Sequence, residues 1–224
     1  MVKKKLAHFA ENLTFPHLFQ NPYPDFLQPF QLKGNWKRVF FQNDNPLIIE
    51  LGCGKGEYSV NLAIQNPGKN YIGTDIKGAR LWKGCKMVQE MNLKNVAFIR
   101  SRVEYTEYFF GRDEVDEIWL TFPDPQPQSN RKRKRLTSPL FLNRYKNLLK
   151  PGGIIHLKTD NAGLYQFTLE IIKEEKHQLL FASEDIYHME EFHEATAIQT
   201  FYEAIYLKKG IPIKYIEFAL NHES

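Results

Sequence analysis

The chain has 224 residues, 42% hydrophobic and 25% charged, with a net charge of +4. That is enough for one α/β domain with a substantial core and some additions. No stretch approaches the roughly 20 apolar residues of a membrane span, and two cysteines, Cys53 and Cys85, make neither a disulfide framework nor a zinc site. The basic start is not followed by a signal-like apolar region, so a reduced, cytoplasmic setting without a bound metal is expected. The positive charge is uneven: Lys3, Lys4 and Lys5 cluster at the start, and Arg131, Lys132, Arg133, Lys134 and Arg135 form an unbroken run. Such a run points to phosphate contact or to a solvated loop.

Residues 1–45 are basic, aromatic and proline-rich, and read as an arm over a main domain at 46–224. Pro16, Pro22, Pro24 and Pro29 interrupt any long helix. Phe9, Phe15, Phe19, Phe26, Phe30 and Trp36 are expected to anchor the arm, or else to touch RNA. The stretch PLIIELGCGKGEYS follows: a buried strand from 47, a turn with Gly52, Gly54 and Gly56, and a helix over 57–65. Further strands are expected at 70–75, 96–100, 115–122, 153–160, 178–187 and 211–220. Helices are expected at 77–91, 139–149, 162–176 and 197–209. Alternating elements of this kind predict a doubly wound α/β fold with a mostly parallel, seven-stranded, Rossmann-like sheet.

In such a sheet, ligands bind beyond the carboxyl ends of the strands. The glycine turn lets backbone approach a ligand closely. Its G-x-G-x-G spacing differs from the G-x-G-x-x-G of dinucleotide sites, and with Glu50 just before it the stretch resembles the first motif of the class I S-adenosylmethionine methyltransferases. Another nucleotide and a purely structural turn remain open. Asp75 ends the second strand, where a carboxylate can accept from both ribose hydroxyls. Ser101 and Arg102 end the third strand, near where an adenine would lie. The fourth strand runs into PDPQPQSNRKRKRL, which sets Asp124 at the mouth of the site with the basic run behind it.

Taken together, ELGCGKGEY, GTDIKGARLWKG, TFPDPQPQSNRKRKRL, PGGIIHLKTDN and TFYEAIYLKKGIPI resemble the motifs of the bacterial tRNA (guanine-N7)-methyltransferases, over about residues 45–213. The resemblance implies a class I methyltransferase that uses S-adenosylmethionine to methylate a guanine in the variable loop of tRNA. It implies that Glu50 and Asp75, with Gly52 and Gly54 of the turn, hold the cofactor, and it places the family's loop acid on Asp124, which is expected beside the cofactor and, because methylation leaves positive charge on the guanine, in catalysis. It assigns Asp160, Thr200 and Glu203 to the tRNA substrate, while the charge of the run itself leads to the expectation that Arg131 and Arg133, with Gln128 before them, contact tRNA. There are three departures. Arg102 stands where the family carries Asp or Asn for the adenine, so that contact falls to backbone. Gln126 and Gln128 replace the usual Trp and Lys.

Two alternatives from the residues themselves are a capping role for Asp160 and Glu203, and an Asx-turn role for Asp124. Competing functions are a methyltransferase for another substrate, a nicotinamide-dependent oxidoreductase, and a tRNA-binding protein impaired in catalysis. Monomer and homodimer are equally compatible with the sequence.

Overall fold

The apolar stretches become strands buried on both faces, as parallel sheets require when helices cover each side. The computed structural model describes residues 2–20, 28–189 and 194–222. In chain order the elements are α1 (Val2–Asn12), β1 (Leu18–Phe19), a short π-helical segment (Trp36–Phe41), β2 (Leu47–Leu51), α2 (Glu57–Gln65), β3 (Asn70–Asp75), α3 (Gly78–Glu90), β4 (Val96–Arg100) and α4 (Thr106–Phe109). They continue with β5 (Val115–Thr121), a short 3₁₀ helix (Ser129–Lys134), α5 (Pro139–Lys146), β6 (Leu149–Thr159), α6 (Ala162–Glu174), β7 (Gln178–Ser183), α7 (Phe201–Lys208) and β8 (Lys214–Ala219).

The strands form one sheet in the order β1-β4-β3-β2-β5-β6-β8-β7. β8 runs antiparallel to both β6 and β7, and the other pairings are parallel. The chain reverses its winding between β2 and β5, which opens a crevice at their carboxyl ends. Side chains alternate across the sheet. Leu47, Ile49, Leu51, Ile118, Leu120, Ile155 and Leu157 belong to one core layer. Ile48, Trp119, Tyr58, Phe98 and Tyr215 belong to the layer on the other face.

The sheet has eight strands rather than the seven expected. The extra one comes from the arm: Leu18 and Phe19 pair with Phe98 and Ile99 of β4. The arm also begins with a helix, α1, because all four prolines lie after it. Glu11 of α1 bonds Lys86 at 2.7 Å and the Trp82 indole at 2.6 Å, and Asn12 donates to the Gly78 carbonyl at 2.8 Å. Trp36 is fully buried, with its indole N–H on the Phe109 carbonyl, and Phe15 and Phe30 are buried beside the sheet. Phe26 lies outside the described residues. β6 starts earlier than expected, at Leu149, and its bulge against β5 absorbs Pro151 and Gly152.

One buried charged cluster ties the middle of the sheet together. His156 stacks on Trp119 with ring centroids 4.0 Å apart. Its Nδ1 meets the Tyr215 hydroxyl at 2.8 Å, and its Nε2 lies 3.4 Å from Glu117, an ion-pair distance. Burial alone would lower the His156 pKa, but Glu117 and Glu217 outweigh it and hold it above the ordinary 6.5. Burial would raise Glu117, but His156 and Lys69 outweigh it and set it at about 2. The raised histidine stabilises the fold fully below its unfolded pKa of 6.5, and that contribution fades as pH rises through its folded value. The depressed Glu117 stabilises fully above 4.5, and its contribution fades as pH falls through about 2. Thermal unfolding followed across pH is therefore expected to show this cluster's contribution at full strength between 4.5 and 6.5. His156→Gln should remove the alkaline decline, and an unchanged decline in that variant would refute the assignment.

Candidate active site

The site starts where β2 stops. Gly52, Gly54 and Gly56 all take positive φ, at 82°, 59° and 72°. The N–H groups of Gly52 and Cys53 donate to the Thr74 carbonyl at 2.8 and 2.9 Å, which folds the turn over the end of β3. A Cβ on Gly56 would lie 2.5 Å from the Phe98 ring, so no side chain fits there. A Cβ on Gly52 or Gly54 would meet nothing within 4 Å. These two glycines face open space, and form a cradle that side chains would fill.

Two clefts meet at Gly52. The first, of about 290 Å³, is lined by Gly52, Asp75, Ile76, Ser101, Arg102 and Val103. Asp75 is fixed there by two backbone donors: Gly54 N–H on Oδ2 at 3.0 Å and Lys77 N–H on Oδ1 at 2.7 Å. Ile76 is 49% exposed and gives this cleft an apolar wall. Arg102 is exposed and its backbone is extended. The second cleft, of about 120 Å³, includes Glu50, Gly54, Lys55, Arg80, Thr200 and Tyr202 in its lining.

Glu50 lines the second cleft and is buried. Its Oε2 accepts from both the backbone N–H and the hydroxyl of Ser59, and its Oε1 accepts from the Thr121 hydroxyl. Burial raises its pKa, against the opposing pull of these donors. Among the described residues no cation pairs with it. A cationic ligand next to Glu50 would therefore supply a missing partner.

The F-P-D-P loop leaves β5 sharply. Phe122 takes φ 49° and donates its N–H to the Lys158 carbonyl at 2.8 Å. Asp124 is exposed and does not line either cleft; its Oδ1 accepts the Gln126 N–H at 3.0 Å in an Asx turn. Gln128 is exposed and precedes the 3₁₀ helix, which carries Arg131, Lys132, Arg133 and Lys134 out to solvent. The basic run does not act as one block. Arg135 is buried: Nε donates to the Pro125 carbonyl at 3.0 Å, and the guanidinium lies 4.4 Å over the Phe167 ring. Arg135 thus braces the loop from below, and only the four residues before it carry their charge to the surface.

Asp160 directly follows β6, and the cap of α6 is its neighbour Asn161, whose Oδ1 accepts the Leu164 N–H at 2.8 Å. The Asp160 carboxylate accepts no hydrogen bond among the described residues; burial and then Asp160 push the Tyr206 hydroxyl upward. Thr200 and Glu203 form a capping box at the start of α7. Thr200 reaches the second cleft. Glu203 does not face any surface: it is wholly buried, paired with Lys158 at 2.5 Å and accepting from the Tyr187 hydroxyl at 2.7 Å. Direct contact with a substrate is not available to it in this arrangement, because its oxygens are already used.

The structure therefore gathers Glu50, Gly52, Gly54, Asp75, Arg102 and Thr200 around adjoining clefts. It leaves Asp124, Gln128, Arg131, Arg133 and Asp160 beyond their linings, and it turns Glu203 inward. Sequence reasoning gave no role to Ser59, Thr121 or Lys158. Lys158 carries a signal nonetheless, a lysine within the apolar strand I-I-H-L-K. Among the described residues, no cluster of three or more His, Cys, Asp or Glu could hold a metal, and no helix is long and apolar enough to cross a membrane.

A doubly wound sheet with a glycine cradle and a carboxylate at the end of the next strand has the layout of a Rossmann-like nucleotide-binding domain. Residues 44–216 match the family model described as "Putative methyltransferase". The chain is 51% identical to the tRNA (guanine-N(7)-)-methyltransferase of Christiangramia forsetii, over 98% of this chain and 99% of that one. It is 46% identical to the enzyme of the same name from Bacteroides thetaiotaomicron, over 100% of this chain and 88% of the other. Its fold is similar to the solved structure of the 16S rRNA methyltransferase KamB, with a TM-score of 0.62 at 14% identity, covering 83% of this chain and 92% of that one. The chain belongs to the tRNA (guanine-N(7)-)-methyltransferase family.

Proposed function

We propose that this chain transfers a methyl group from S-adenosylmethionine to N7 of a guanine in the variable loop of tRNA. The observation that carries the reading is the acid-lined glycine cradle joined, through the Asp124 loop, to a solvent-facing helix of four cations. The cradle fits the cofactor. Gly52 and Gly54 leave room for it, Asp75 keeps acceptor capacity for ribose hydroxyls, and Ile76 and Val103 offer an apolar wall to a purine. The Arg102 N–H has no partner among the described residues and is available to a ring nitrogen of that purine. Glu50 gains the cation it lacks. A dinucleotide, with its anionic pyrophosphate, would gain nothing from this buried acid.

Bound S-adenosylmethionine supplies an electrophilic methyl group. Guanine N7 has an in-plane lone pair and no proton, so the chain provides no general base. Its work is alignment, worth about 7–11 kcal/mol in favourable cases. Methylation leaves positive charge on the base, and Asp124 at the loop tip stabilises it. Asp160, at the end of the neighbouring strand, and Thr200 orient the base. Glu203 acts on the substrate through Thr200, as a positioning residue. Arg131 and Arg133 take tRNA phosphates and Gln128 a polar contact beside them. The setting is cytoplasmic.

Asp124→Asn keeps an oxygen for the Gln126 N–H and so preserves the Asx turn while removing the charge. It is expected to lower kcat by roughly a hundredfold with little change in tRNA affinity; unchanged turnover would remove Asp124 from catalysis. The reaction itself is tested with labelled S-adenosylmethionine and unmodified tRNA, followed by identification of the product nucleoside. Label in 7-methylguanosine is expected, and label in another nucleoside would overturn the reading.

A further inference from the structure

Beside the basic helix lies a groove of about 380 Å³ whose apolar floor the methyl-transfer reading does not use. Pro139, Leu140, Phe167 and Ile171 give it an apolar floor, and Lys132 and Arg133 stand among its lining residues. Leu140, in the first turn of α5, is 41% exposed. Around this floor the parts are fixed. The Ser138 hydroxyl donates to the Arg133 carbonyl at 3.0 Å, and the Thr137 and Thr168 hydroxyls meet at 2.8 Å, tying the start of α5 to α6. Arg135 packs on Phe167 and at the same time holds the Pro125 carbonyl. The groove and the loop carrying Asp124 are thus braced by one residue.

We propose that this groove is a subsite for a single unstacked nucleotide of the RNA substrate, with its base on the apolar floor and its flanking phosphates on Lys132 and Arg133. The proposal rests on the tRNA reading above. RNA bases taken out of a helix are held on aromatic and apolar side chains, and their phosphates by cations. The volume is at the small end of ligand pockets, suited to one nucleotide. Charge complementarity decides the occupant: an apolar peptide would leave two cations unmatched, and a free phosphate would leave the apolar floor unused. The subsite has a purpose in the reaction, since a base-modifying enzyme must draw its target out of tertiary stacking. A second nucleotide held in a groove braced to the Asp124 loop through Arg135 keeps the distorted strand open.

The test is tRNA binding by the full chain across a series of salt concentrations, for wild type, Leu140→Gln and Arg133→Ser. Leu140→Gln removes apolar floor without changing charge. It is expected to raise the tRNA Kd by about three- to tenfold, with an unchanged salt slope, unchanged S-adenosylmethionine binding and an unchanged melting temperature. Arg133→Ser is expected to flatten the salt slope by close to one counterion. Asn143→Gln, on an exposed position of α5, is the control and should leave tRNA binding as in wild type. A Leu140→Gln protein that binds tRNA as wild type does, or whose loss is shared by the control, overturns the subsite. Because wild-type methylation of tRNA is measured alongside, failure of the subsite and failure of the tRNA reading give different results.

Discussion

Replacing Lys158 with methionine is expected to destabilise the fold by about 3–5 kcal/mol, the cost of breaking a buried ion pair from one side. Both partners are wholly buried: Lys158 Nζ lies 2.5 Å from Glu203 Oε1 and donates to the Ala195 and Ile198 carbonyls. Burial lowers the Lys158 pKa, and Glu203 opposes that fall. Without the ammonium, Glu203 keeps, among the described residues, only the Tyr187 hydroxyl and the Thr200 N–H, too little for a charge with no access to water. The segment from Ala195 to Thr200 loses its anchor as well, and with it the Thr200 edge of the second cleft. A double change, Lys158→Met with Glu203→Gln, should recover a large part of the loss because no isolated charge remains. Urea unfolding of the two single variants and the double variant measures this directly. A Lys158→Met protein within about 1 kcal/mol of wild type, or a double variant no better than the single, would show that the pair is not what holds α7.

Asp75→Asn is expected to weaken S-adenosylmethionine binding by about ten- to a hundredfold, the range for losing a charged hydrogen-bonding partner. The change is conservative in shape and not in chemistry. Both carboxylate oxygens accept backbone N–H groups, from Gly54 and Lys77. An amide must turn its NH₂ toward one of them, donor against donor, and the glycine turn or the start of α3 must shift. The loss should therefore appear in cofactor Kd by calorimetry, with the tRNA Kd little changed. Equal cofactor affinity in the variant would mean that Asp75 serves the turn alone.

Much of this architecture was legible because its signals are local and periodic. Buried strands such as Leu47–Leu51 show as short apolar runs, and the glycine turn shows as alternate glycines after one of them. The two-residue strand Leu18–Phe19 was not legible: nothing in two residues separates a strand from an extended link, and its pairing with β4 is a long-range event. The burial of Arg135 was hidden for another reason. In five consecutive cations no residue type marks the one that turns inward; the choice is made by Phe167 and the Pro125 carbonyl, distant in sequence. Thr200 and Glu203 illustrate a pattern with two meanings. T-F-Y-E matches the family's substrate motif and is equally the S/T-x-x-E of a capping box. The structure builds the box and buries the acid. Asp160 reverses the case: the acid before the helix leaves the cap to Asn161 and keeps its own carboxylate for another use.

The central claim is that N7 of guanine is the nucleophile and that the chain supplies alignment rather than a base. It is tested most directly with tRNA transcribed with 7-deazaguanosine, which replaces the N7 lone pair with a C–H and leaves the Watson–Crick edge intact. Guanosine-containing tRNA should accept the methyl group, and the 7-deaza tRNA should bind comparably but accept none. Continued methylation of the 7-deaza tRNA at the wild-type rate would contradict the account, because the accepting atom would then lie elsewhere.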